Sequence, residues 1–320
     1  MTKILKITAS LALYITFCIS AHAVPVKTDF VFMIDATSSM AGEIAGVRNG
    51  FSTFVGNLNA AAVDARFAVV VYGGAPELTL DFTSSGAVTQ TALNNITIGA
   101  NAGIQNNHNY NPEAGLEVIR MVLGAAPNSV LVNNNIPEDG ILDFRTDARK
   151  NLILVTDEDS DNPYYAANDG FNLQEEIDAT ASAVIANNAF LNMLISHNLN
   201  SEAQYGDYTH DVSDANLLNF DGTLTLDNLL GDTATDGSLQ AQVLGAGLLA
   251  RTFNVAGAND ADFVNNFFAA KLEEVTTDDP CDLDPNSPQC IGENNIPEPG
   301  TIVLFALGLA GLGFARRKKA

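Results

Sequence analysis

From Lys27 to about Val275 the chain alternates short apolar runs with longer amphipathic stretches. The runs Phe30–Ile34, Arg66–Tyr72, Leu78–Phe82, Asn151–Thr156, Phe190–Ser196 and Arg251–Val255 read as strands. Between them lie segments whose apolar residues recur at helical spacing. In "EIAGVRNGFSTFVGNL", Ile44, Val47, Phe51, Phe54, Val55 and Leu58 fall on one side, which predicts a helix laid against a sheet. Further helices are expected at Pro112–Leu123, with Pro at the start, at Leu173–Ala186, in "SLQAQVLGAGLLA" and at Asp260–Val275. Strands alternating with helices are the pattern of a doubly wound α/β domain, a mostly parallel central sheet flanked by helices. One such domain, residues 24–275, accounts for all of them.

The alternation is interrupted between about residues 198 and 237, a stretch rich in Asn, Asp, Gly and Thr. It is too long for an ordinary connection, and is expected to be a solvated surface insertion or a small β-hairpin unit. The pattern stops after Val275. Residues 276–296 turn to Asp, Pro, Asn and Ser, the composition of a linker. In that linker stand Cys281 and Cys290, the only cysteines left once residues 1–23 are set aside. Those first residues carry a basic start, an apolar run from about Ala9 to Ile19 and an Ala21-x-Ala23 arrangement, which reads as a secretory signal cleaved after Ala23. Export brings oxidising conditions, so a local Cys281–Cys290 disulfide is expected.

At the other end, "PEPGTIVLFALGLAGLGFARRKKA" joins Pro297, Glu298 and Pro299 to an apolar stretch, Thr301–Ala315, and a basic cluster. The stretch is short of the ~20 residues of a permanent span. The order of parts at residues 297–320 resembles the PEP-CTERM sorting signal of exported bacterial proteins. That resemblance implies recognition by an exosortase-type enzyme, transient membrane contact through the tail, and display at the cell surface or in an exopolysaccharide matrix.

The net charge is −23 over 320 residues, and the two removable ends carry six of the 15 Lys and Arg. Between them, over residues 24–296, 37 acids face 9 bases, a net charge of −28. Such a field repels nucleic acid and anionic membrane and attracts cations.

Candidate chemistry gathers where strands end. Asp35 closes the first strand and, with Thr37 and Ser39, gives D-x-T-x-S: one carboxylate and two hydroxyls able to point at a common centre. Hard divalent cations take oxygen ligands of this kind. In "NLILVTDEDSDN" Asp157 ends the fourth strand in the same way, and in open parallel sheets ligands gather at the carboxyl ends of the strands. Together these motifs resemble the von Willebrand factor type A (integrin I-like) domain, a Rossmann-like fold whose metal-ion-dependent adhesion site uses D-x-S-x-S after the first strand and an Asp after the fourth. The resemblance implies Asp35, Thr37 and Ser39 as ligands, with Asp157 coordinating directly or through water. Thr37 replaces the usual Ser and keeps the hydroxyl. It also implies a divalent cation, Mg²⁺ first with Mn²⁺ or Ca²⁺ as alternatives, and a protein or polysaccharide partner that offers an acidic group.

The second loop departs from the family pattern. Where a Thr, or an Asp in a D-x-P-E-A variant, stands before the third helix, "HNYNPEAGL" has Tyr110. The expected substitutes are a carbonyl oxygen of Asn109 or Asn111, or water. A phenol at that place also leaves open a structural matrix protein with a vestigial site. Asp157, Asp159 and Asp161 start like an EF-hand loop, but Asn162 and Asn168 stand where Gly and Glu are required, so Glu158, Asp159 and Asp161 read as a solvated acidic rim. No zinc motif, G-x-S-x-G or phosphate loop is present, which leaves a secreted hydrolase as the weakest alternative. The expected activity is binding, not catalysis.

Overall fold

A computed structural model describes residues 26–74, 76–99, 113–125, 142–157, 160, 173–195, 217–219, 238–254 and 263–276. The chain divides into two units, Met1–Asp278 and Asp279–Ala320, and all described residues belong to the first. The signal segment 1–23, Cys281, Cys290 and Pro297–Pro299 lie outside the described residues.

The strands are β1 (Lys27–Asp35), β2 (Asp64–Tyr72), β3 (Glu77–Thr83), β4 (Arg149–Thr156), β5 (Ala189–Ile195), β6 (Leu217–Asn219) and β7 (Ala250–Asn254). They form one sheet in the order β3-β2-β1-β4-β5-β7-β6. β3 alone runs antiparallel, against β2. The helices are α1 (Ala41–Ala60), α2 (Gly86–Asn94), α3 (Gly115–Val122), α4 (Leu173–Ala186), α5 (Leu239–Gly245) and α6 (Phe268–Thr276), with a π turn at Phe263–Phe267 leading into α6. Among the described residues no helix is long and apolar enough to cross a membrane.

Strand alternation sorts side chains between two cores. On β1, Val31 and Met33 enter a core shared with α3, α4 and α5, while Phe30, Phe32 and Ile34 enter one shared with α1 and α6. The second core is aromatic. Phe30 stacks on Phe67 at 5.6 Å between centroids, and Phe54 on Phe268 at 4.7 Å. α6 reaches that position because α1 offers Gly50, where a Cβ would lie 2.6 Å from the Phe268 ring. In the first core α3 is buried along its whole length. Its Arg120 is held by Glu117 and by Glu176 of α4, so the charges forced inside are paired.

The region expected as a solvated insertion or a hairpin behaves differently at its centre. Leu217–Asn219 joins the sheet edge as β6, parallel to β7 in the register Leu217↔Thr252. Two leucines flanked by polar residues suffice for one short edge strand, because a neighbouring strand supplies the hydrogen bonds that a hairpin would have to make within itself. The remainder of 198–237 lies outside the described residues.

At the amino end of the sheet, buried charges are matched. Asp29 accepts from Arg66 (Nη2 at 2.7 Å, Nε at 3.0 Å), from Arg145 Nε at 2.9 Å and from the Arg145 backbone N–H at 2.8 Å. On the opposite face Lys271 Nζ donates to Glu274 at 2.6 Å and to Asn151 at 2.9 Å, tying α6 to β4.

Candidate metal centre

β1 ends in Asp35. The next residue, Ala36, donates its N–H to the Tyr72 carbonyl at 2.9 Å, and the chain then turns through Ser38–Met40 into α1. Asp35 has no exposed surface. The turn brings the Thr37 backbone N–H to Asp35 Oδ1 at 2.8 Å and leaves the Thr37 and Ser39 hydroxyls 3.2 Å apart. The D-x-T-x-S loop thus places its two hydroxyls together beside one buried carboxylate, as its spacing suggests.

Asp157, half-buried, follows β4 directly. Three residues on, the Ser160 hydroxyl accepts from the Leu116 backbone N–H at 3.1 Å. That bond ties the loop after β4 to the first turn of α3, whose preceding residues carry a third acid, Glu113. Carboxylate oxygens of Asp35, Glu113 and Asp157 all lie within 4.8 Å of one another. Glu113 is the "E" of "NPEAGL" and escapes a reading that looks for a ligand three residues earlier. Its signal is position: an acid at the start of a helix, at the carboxyl edge of the sheet. Asn109, Tyr110 and Asn111 lie outside the described residues.

Two unit charges 4.8 Å apart repel by about 3 kcal/mol at an effective dielectric constant near 20. Three carboxylates so placed are therefore costly unless a proton or a cation stands among them. Asp35 shows the strain. Burial pushes its carboxyl up to about 6, against hydrogen bonding with Glu113 and Thr37, and the charge of Asp157 adds to the rise. Its Oδ2 is buried with no hydrogen-bond partner. An orphaned buried acceptor facing further carboxylates, beside two hydroxyls, fits a hard divalent cation: all the donors are oxygen and they come from three separate loops.

A doubly wound sheet with acids from three loops gathered at its carboxyl edge defines an α/β domain built around one binding edge. The chain belongs to the von Willebrand factor type A domain family, whose model matches residues 29–190. Members of this family commonly bind a divalent cation. A second family model, the PEP-CTERM protein-sorting motif, matches residues 295–319 and marks an exported bacterial protein handled at the cell envelope by an exosortase. A search of curated proteins found no match. Among solved structures, the chain is similar to proximal thread matrix protein 1 from the mussel byssus, at 15% identity and a TM-score of 0.35 over 55% of this chain and 39% of that one. It is also similar to a mutant of the PilB minor pilin from Streptococcus sanguinis, at 9% identity and a TM-score of 0.43 over 80% of this chain and 63% of that one. The chain thus spans less than two thirds of either.

Proposed function

We propose that this exported protein is a binding protein of the bacterial surface or extracellular matrix. A divalent cation, Mg²⁺ first and Mn²⁺ or Ca²⁺ as alternatives, is held by Asp35, Glu113 and Asp157 with the hydroxyls of Thr37 and Ser39. Its partner is a protein or polysaccharide that offers an acidic group. The observation that carries this reading is the convergence of carboxylate oxygens of Asp35, Glu113 and Asp157, with Oδ2 of Asp35 buried and without a hydrogen-bond partner. When bound, the ion supplies a Lewis-acidic centre for a partner's oxygen. The chain's own residues hold it, and the hydroxyls add ligands without adding charge.

The third carboxylate changes the charge balance. A divalent ion among three ionised acids leaves a local charge of −1, in a domain already strongly acidic. Capture of an acidic group then depends on an open coordination position rather than on net positive potential, and removing the ion leaves only repulsion. Glu113 also weakens the case for a vestigial site, since it brings to the second loop an oxygen donor better suited to a hard cation than the Tyr110 phenol. The role is binding rather than catalysis.

The test is retention of partners from the producing bacterium's matrix on the immobilised protein, with Mg²⁺ or with chelator. The account expects specific retention that chelator abolishes and Asp157→Ala strongly weakens. Retention unchanged by chelator would refute cation-dependent binding.

A further inference from the structure

The helix α3 starts without a cap of its own. The first N–H groups of an α-helix have no partner inside it, and a Ser, Thr, Asp or Asn just before the helix commonly accepts from one of them. Before α3 stands Ala114, whose side chain has no oxygen to offer. The Leu116 N–H nevertheless finds one. It donates to the hydroxyl of Ser160 at 3.1 Å, 44 positions further along the chain, in the loop after β4. Leu116 is only 2% exposed, so solvent is a poor substitute for that acceptor.

The bond sits evenly between two acids. Glu113 lies three positions before Leu116 and Asp157 three before Ser160, and their carboxylate oxygens lie within 4.8 Å of each other and of Asp35. Beyond the bond, each side is anchored separately. Asp157 follows β4, whose last residue, Thr156, pairs with Ile195 of β5. α3 is fastened to α4 through Arg120 and Glu176, and through Thr180, whose hydroxyl donates to the Leu116 carbonyl at 3.3 Å. The Ser160 hydroxyl thus joins two segments whose carboxylates repel each other. An Asp would cap the helix equally well but would add a fourth acid beside three; a hydroxyl makes the tie without charge.

We propose that Ser160 is a positioning residue of the metal centre: by capping α3 from the loop after β4, it holds Glu113 and Asp157 at the separation a shared cation needs. This rests on the reading of those two acids as ligands. Groups behind the ligands of a metal set their placement, and loss of such a group weakens metal affinity while leaving the ligands themselves intact. Ser160→Ala removes the hydroxyl oxygen, and Ser160→Thr keeps it.

The experiment titrates the full chain, Ser160→Ala and Ser160→Thr with Mn²⁺ by calorimetry, and melts each in chelator. The expected Kd for Mn²⁺ rises about tenfold in Ser160→Ala and stays close to the wild-type value in Ser160→Thr. A hydroxyl that serves only as a helix cap would lower the chelated melting temperature of Ser160→Ala and leave the Kd of the folded protein where it was; that result overturns the proposal. A Ser160→Thr variant that binds as weakly as Ser160→Ala overturns it too, because the hydroxyl would then not be what holds the site. Wild-type protein that binds Mn²⁺ alongside a Ser160→Ala variant of equal affinity refutes only the role of Ser160. Wild-type protein that binds none refutes the metal reading, and the proposal with it.

Discussion

Asp29 and Asp35 stand six residues apart on the same strand and the same face, and neither has any exposed surface. The first is enclosed by its own chain: two guanidinium groups and a backbone N–H meet its carboxylate. The second receives one backbone N–H and faces two further acids. The same residue type, equally buried, is a finished structural joint at the amino end of β1 and an unfinished one at the carboxyl end. Burial decides that a charge needs a partner; the surroundings decide whether the partner lies within the chain. In the first case Arg66 and Arg145 supply it, and in the second, on the proposed reading, a bound cation would.

The largest expected effect tests the finished end. Asp29→Ala leaves Arg66 and Arg145 without their shared acceptor and should cost about 3–5 kcal/mol in urea unfolding, with Mn²⁺ affinity of the folded protein unchanged. A variant of near wild-type stability would show that the two arginines are satisfied by water and the comparison is empty. The next concerns Lys271, whose cation is also built in. Burial lowers its ammonium to about 8 from an ordinary 10.5, against the pull of Glu274. Between those two values the unfolded chain binds more protons than the folded one, so stability should rise as pH increases from about 8 to 10.5. In Lys271→Met this rise should shrink; an identical pH profile would contradict the burial of a charged lysine.

At the unfinished end the sign reverses. The Asp35 carboxyl is raised from 3.8 to about 6, so in that window the folded state binds more protons than the unfolded chain, and stability falls as pH climbs through it. Asp35→Asn removes the buried charge and should stabilise the chelated protein at pH 7 by up to about 3 kcal/mol, while abolishing Mn²⁺ binding. Loss of stability in chelator would mean that Asp35 is structural, like Asp29. Glu113→Gln should do the same to a smaller degree, with Mn²⁺ binding weakened at least about tenfold; unchanged affinity would exclude Glu113 from the ligand set.

The strongly patterned parts of the fold are legible in the sequence. β1, β4, β5 and α4 follow from runs that are apolar or amphipathic without interruption, and the helix at Leu173–Ala186 has the bounds its periodicity predicts. α2 is not legible from apolar periodicity, since only Thr89 and Leu93 are buried along it; its one local signal is Ser85, which caps it through the Val88 N–H. β6 is three residues long and depends on β7 for its existence. At the site, Asp35, Thr37, Ser39 and Asp157 are visible because each lies at, or within four residues of, the carboxyl end of an apolar strand. Glu113 is hidden by its place in a loop, where only the fold shows that it converges on the others. The enclosure of Asp29 is invisible for a related reason: Arg145 lies 116 positions away, and no local pattern pairs them.

The central claim is that the carboxyl end of the sheet is completed by a cation. The most direct measurement is the thermal unfolding of cation-stripped protein on addition of Mg²⁺ or Mn²⁺, wild type beside Asp35→Asn. The account predicts that the wild type starts lower, rises with the ion and closes the gap, while the variant starts higher and does not respond. A wild type whose melting temperature ignores both ions, or a variant that responds as strongly, would contradict it.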